Sequence, residues 1–232
     1  MENLLEYGYE VIRHGTILIV ITVVLKKIIT YLFGYMENEM GFSAEQIANQ
    51  ILYRSGIEEA KVSMEYWKEN THYNTKNKEL ILAHSIYHKS TISAIGMAAH
   101  EAGHAIQCEK HGLLLKIRNG FGPCIRLIAT ASVVVTSIGS LVYQRNPIIM
   151  QIGFMMFAVA ILFEFVTLPI ELIATWKAFA KVKEMEVLTT KELIAVAVVM
   201  FISSFAYIAA LFGVFIIYWK IITSVAKMKS DD

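Results

Sequence analysis

The sequence predicts a mainly α-helical integral membrane bundle that carries a small α+β region with a short antiparallel sheet. Three observations predict it. Of 232 residues, 56% are hydrophobic, more than a single soluble core normally buries. The apolar residues gather into stretches close to the roughly 20 residues that a membrane helix needs. The charged residues, with all but one of the histidines, gather between the first and second of those stretches.

Residues 1–36 form an N-terminal segment with the first predicted span. The apolar run Thr16–Leu25 is short, and Lys26 and Lys27 interrupt it before a second apolar piece, so it crosses a bilayer only if those lysines snorkel to the interface. The segment opens with acidic residues and has no basic stretch or small-residue cleavage site, which predicts no cleaved signal peptide.

Residues 37–121 form the polar region. Ser43, with Gln46 three residues later and Ile47, Ile51 and Leu52 at helical spacing, marks an amphipathic helix that Gly56 stops. The runs AKVSMEYW and ELILAH suit short strands, and the Asn/Thr/Lys-rich stretch between them suits turns. From Ser90 the small and apolar residues Ile92, Ile95, Ala99, Gly103 and Ile106 recur every three or four positions. This predicts a helix built to pack closely against a neighbour.

Residues 122–170 supply two spans, Gly122–Tyr143 and Ile148–Ile170, joined across Asn146 and Pro147 by a tight turn into a membrane hairpin. Residues 171–192 form a further helix and polar loop, residues 193–219 the last span, and residues 220–232 a polar tail. A net charge of +1 removes the broad basic footprint of a nucleic-acid binder, so no nucleic acid is expected as a partner. The two cysteines, Cys108 and Cys124, form neither a disulfide framework nor a CxxC site.

The chemistry lies in His100-Glu101-Ala102-Gly103-His104. Histidines at i and i+4 share one helical face and can reach one zinc ion, while Glu101 is turned toward a water on that ion. Zinc lowers such a water's pKa to about 7, and a carboxylate beside it can take the proton and return it to a departing amine. The bare HExxH pattern occurs by chance in about one per cent of chains this long, so its helical context and the strand before it carry the weight.

A catalytic zinc takes three protein ligands and keeps a fourth position open. Glu171 is the expected third ligand, because a hairpin returns the chain to the side it left. Pro169 can direct that side chain by distorting the helix. Glu164 is the competitor, deeper in the membrane, where a carboxylate is costly unless paired or ligating. His72 and Tyr73 are candidate catalytic donors to a developing oxyanion. His84 and His88 could play that part or be ordinary surface residues, and His111, before Gly112, reads as a helix end.

The segments ENTHYNTKNKELILAHSIY, AIGMAAHEAGHAIQ and VTLPIELIAT, with the hairpin between the last two, resemble the bacterial membrane-bound neutral zinc metallopeptidases of the YugP type. The resemblance runs from about Gly41 to the last span. It implies a multi-pass zinc metalloendopeptidase of the cell membrane with a zincin-like catalytic region. His100, Glu101 and His104 match the family's catalytic helix, and Glu171 its downstream glutamate ligand, the gluzincin arrangement. The family often continues after that glutamate with phenylalanine-asparagine-alanine-serine. Here Leu172, Ile173, Ala174 and Thr175 follow, so the hydrogen bond of that asparagine behind a ligand has no counterpart.

Basic residues near span ends place the expected site on the cytoplasmic side. Lys26, Lys27, Lys116, Arg118, Lys177, Lys181, Lys183 and Lys191 lie on the motif's side, against Arg13, Arg145, Lys220, Lys227 and Lys229 on the other. The expected partners are the lipid bilayer and a polypeptide substrate, unfolded or membrane-associated, with quality control as a fitting role. Two alternatives stand beside this. A non-enzymatic protein with a structural zinc would need a closed four-ligand site, for which Cys108 is the nearby candidate. An intramembrane site-two-type protease would need an Asp-Gly, which the sequence lacks.

Overall fold

The computed structural model describes residues 20–21, 24–67, 69, 71–142, 148–202, 219 and 223. They are mainly helical, with one three-stranded sheet. The elements are α1 (Ala44–Arg54), β1 (Lys61–Glu65), β2 (His72–Asn74), β3 (Glu79–Ala83), the one-turn α2 (His84–Tyr87), α3 (Ile92–Leu141) and α4 (Ile148–Met185). Residues 24–33 and 190–202 are also helical. Most of the first predicted span, the hairpin turn, most of the last span and the polar tail lie outside the described residues.

The chain divides into two compact units. One comprises the described residues of Leu25–Arg118 and Leu168–Phe205, the other those of Met1–Val24, Asn119–Thr167 and Ala206–Asp232.

In the first unit α1 begins as expected. Ser43 Oγ accepts from the Gln46 backbone N–H at 3.2 Å, and Gln46 Oε1 accepts from the Ser43 N–H at 2.9 Å. Each satisfies a donor that the first turn would otherwise leave unpaired. Gly56, at φ +72°, follows the helix in the left-handed conformation that glycine adopts without penalty. Ala44, Ile47, Ala48, Ile51 and Leu52 are buried.

The sheet corrects the expectation of an antiparallel one. Its order is β1-β3-β2, with β2 antiparallel to β3 but β1 parallel to it. The cause is His72–Asn74, which lies in the stretch expected to hold only turns. Asn74 Oδ1 accepts from the N–H groups of Lys76 and Asn77, and Lys78 adopts φ +50°, so a tight turn folds β2 back against β3. With that edge taken, β1 pairs on the other side of β3 and runs in the same direction.

The long helices are more continuous than expected. Glycine at 112 does not end α3, and the chain stays helical through His111 and Gly112 to Leu141, 50 residues in all. One glycine costs a helix only about 1 kcal/mol, and Leu113–Leu115 continue the apolar pattern. Likewise α4 runs from the third predicted span through Glu171 to Met185 without a break. Pro123 and Pro169 both sit inside these helices. Gly112–Gly139 and Ile148–Met185 are long and apolar enough to cross a membrane. Large apolar side chains such as Leu127, Val134, Met155, Leu162 and Phe165 point outward from them.

The small residues of α3 mark where other helices come close. A Cβ on Gly103 would fall on the Ala174 carbonyl oxygen, and one on Gly96 would lie 2.7 Å from a Val199 methyl. In the second unit a Cβ on Gly139 would lie 2.6 Å from Met150 Cα, which is how the two arms of the hairpin meet. Around the Gly96 and Gly103 contacts Leu80, Leu82, Ile92, Ile95, Ala99, Ala102, Val182, Val196 and Met200 form one buried cluster.

The entry to the last helix is tied to the segment before α1. Thr189 caps it with Glu192 three residues on, and Glu192 also accepts the Glu39 N–H at 2.7 Å. Burial pushes the Glu192 carboxyl up, but the donors from Thr189 and Glu39 outweigh it and hold it below the usual carboxylate range.

Two outcomes are expected. Gly103→Ala should lower thermal stability in detergent by about 1–3 kcal/mol, because backbone, not a flexible side chain, meets the new methyl. Glu192→Gln should cost about 1–2 kcal/mol near neutral pH. A carboxyl with a depressed folded pKa stabilises above its unfolded pKa and ceases to as pH falls. The gap between wild type and Glu192→Gln should therefore close below about pH 4 in unfolding measured across pH.

Candidate metal centre

The registry of α3 against α4 positions the site. On α3, His100 and His104 face the same way because they are one turn apart, and both are buried. On α4, Glu171 is 1% exposed. Its Oε2 lies 3.2 Å from His100 Nε2 and its Oε1 3.6 Å from His104 Nε2. Glycine at 103 permits this, since the Ala174 backbone occupies the space a side chain there would need. Glu164, two turns earlier on α4, belongs to the other compact unit.

These separations fit a zinc ion. Ligand atoms about 2.0–2.1 Å from a tetrahedral zinc stand about 3.3 Å from one another, close to the two distances found. His104 points the same way: it is 2% exposed, and neither ring nitrogen has a hydrogen-bond partner. A buried imidazole without partners is costly, and a metal on one nitrogen removes much of that cost. Ligand atoms of His100, Glu101 and His104 lie within 4.8 Å of one another, the arrangement of a metal-binding group.

Behind the first histidine stands Thr175, one turn beyond Glu171 and fully buried. His100 Nδ1 and Thr175 Oγ1 are 2.9 Å apart. The tautomer that leaves Nε2 free for a metal donates its Nδ1–H to that hydroxyl, which orients the ring. Sequence reasoning missed this residue, although position i+4 from Glu171 placed it on the same face. Arg118 was counted only as a topological charge, yet its guanidinium contacts Glu171 Oε1. It is 14 residues past His104 on the same helix, about 21 Å along a straight axis, so helical spacing alone does not bring it to Glu171.

Glu101 meets the sheet. The Tyr73 backbone N–H donates to Glu101 Oε2 at 3.1 Å. The strand beside the motif is therefore β2 and not ELILA, which is central and flanked on both sides. The Tyr73 ring itself is buried with its hydroxyl unpartnered, and burial pushes that phenol up to about 12. His72 lies beside it on β2, opposite Ile81. Of this pair it is the Tyr73 main chain that reaches the motif.

The remaining candidates are elsewhere. His84 begins α2 and is exposed, with its ring 5.3 Å from that of Tyr66. His88 ends α2, also exposed and edge-on to Tyr87. Cys108 is not among the converging metal-binding groups of the described residues, and burial raises its thiol pKa.

The family described as "Putative neutral zinc metallopeptidase" matches residues 11–226. The chain is 27% identical over 146 residues to "Putative membrane protease YugP" of Bacillus subtilis (strain 168), covering 63% of this chain and 64% of that protein. The match thus spans somewhat less than two thirds of the relative. No solved structure matches.

Removing the Thr175 hydroxyl should loosen the His100 ring without changing its neighbours' size. Thr175→Val is expected to weaken zinc binding about 10-fold, measured by competition with a chromophoric chelator.

Proposed function

Because the chain belongs to the neutral zinc metallopeptidase family, we propose that it hydrolyses peptide bonds as a membrane-embedded metalloendopeptidase, with His100, His104 and Glu171 as metal ligands and Glu101 as the proton carrier. The carrying observation is that two buried histidine nitrogens and one buried carboxylate stand at separations suited to a single ion. Glu101 lies next to them, held by a different strand.

When bound, the ion supplies Lewis acidity, polarising the scissile carbonyl and acidifying a water. Glu101 takes the proton of that attacking water and passes it to the departing amine. Its carboxylate is aimed by the Tyr73 N–H, so little reorganisation is needed at the moment of transfer. Thr175 keeps the His100 ring in the ligating orientation. His72 is the side chain on β2 best placed by sequence to donate to the oxyanion.

An extended polypeptide suits the site. Among the described residues β2 is an edge strand, and it is the strand that meets Glu101. A substrate segment added along that edge would run past the carboxylate. Folded chains do not offer such a segment, which favours unfolded or membrane-associated polypeptides and a role in quality control.

Membrane embedding is supported by two long apolar helices whose large apolar side chains face outward, where the core helix of a soluble protein would bury them. The name of the Bacillus relative is consistent with it. The basic residues near the span ends favour a multi-pass cell-membrane protein whose site faces the cytoplasm. The proposed organisation is an N-terminal span, the catalytic region 37–121, the hairpin 122–170, the ligand-bearing segment 171–192 and a last span.

The decisive experiment is cleavage of casein or a fluorogenic peptide by the detergent-purified protein with measured zinc content. Glu101→Gln should keep its zinc and lose activity by about 100-fold or more, whereas Glu171→Ala should lose both. Full activity in Glu101→Gln would overturn the mechanism.

A further inference from the structure

We propose that Arg118 is a positioning residue for Glu171. It holds one carboxylate oxygen so that only the other is offered to the metal, and the fourth coordination position stays open. The inference rests on the reading of Glu171 as third ligand.

The two oxygens of Glu171 are not equivalent. Oε2 faces His100 Nε2 at 3.2 Å, while Oε1 carries the contact with the Arg118 guanidinium and is farther, at 3.6 Å, from His104 Nε2. A glutamate can ligate zinc with one oxygen or clasp it with both, and a clasp would fill the position a water needs. A guanidinium against Oε1 disfavours the clasp, because that oxygen already sits beside a fixed positive charge. Arginine suits this task better than lysine, since its planar fork fixes direction as well as charge.

Arg118 also explains how Glu171 tolerates its place. The carboxylate is 1% exposed, and a buried charge is expensive unless paired. The Arg118 side chain is 22% exposed, so it reaches in from a partly solvated position and neutralises the carboxylate before any metal arrives. Both ends of the pair are carried by helices: Arg118 by α3, Glu171 by α4, whose close contact with Gly103 sets its place. The same interaction therefore links charge compensation, ligand orientation and coordination number.

The test uses the full chain in detergent, stripped of metal and titrated with cobalt(II) and zinc(II). Wild type should give the intense visible absorption of four-coordinate cobalt. Arg118→Ala should give the weaker spectrum of a five-coordinate ion and bind zinc about 10- to 100-fold less tightly. Arg118→Lys, which keeps the charge without the fork, should show part of both changes. A folded Arg118→Ala with the wild-type spectrum and affinity overturns the proposal, as does an unchanged Arg118→Lys should the alanine variant not fold. Failure of the wild type itself to bind either metal would instead remove the metallopeptidase reading on which the proposal rests.

Discussion

The close contact of Gly103 with the Ala174 backbone is the constraint on which the site depends. Two helices that approach this nearly need a residue without a Cβ on one of them, and the motif supplies it between its two histidines. That single approach brings Glu171 to both imidazoles and Thr175 to the back of one. The residues between the motif's ends are therefore not filler. Ala102 is buried in the core and Gly103 sets the helix distance.

Around this contact the molecule concentrates buried polar groups that a packed interior ordinarily excludes. His100, His104, Glu171 and Thr175 are all buried within a shell of alanine, isoleucine and valine. Such a cluster is unfavourable unless its members satisfy one another or a ligand. His100 has Thr175 at Nδ1 and lies against Glu171 at Nε2, and Glu171 has three cationic or potentially cationic neighbours. The two nitrogens of His104, which make no hydrogen bond, are the residual cost. A site that leaves polar atoms buried and unsatisfied trades stability for the capacity to bind, and the scaffold offsets that elsewhere. The Ser43–Gln46 and Thr189–Glu192 capping pairs, and the Glu192 bond to the Glu39 main chain, fasten segments of the same compact unit as the His100–His104 motif.

Local chemistry was legible where neighbours in sequence are neighbours in space. The Ser43 cap, the Gly56 stop and the shared face of His100 and His104 follow from one helical turn. The position of Glu171 beside the histidines was also legible, because it needed only the length of a hairpin. Other features were not. The three-residue β2 is too short to show alternation, and its strand character comes from pairing with β3. The continuity of α3 through Gly112 was hidden because glycine marks helix ends far more often than helix interiors. Tyr73 was singled out for its phenol, yet its backbone N–H is what reaches Glu101.

By itself, then, the sequence determined the shared face of His100 and His104, the helical character and the presence of long apolar segments, since residue type and spacing along one helix suffice for each. Tertiary structure alone decided which groups stand behind His100 and Glu171. Thr175 and Arg118 contact His100 and Glu171 across 75 and 53 positions. Such contacts depend on the distance and registry between two helices, which a small residue like Gly103 permits but no periodicity along either chain segment specifies.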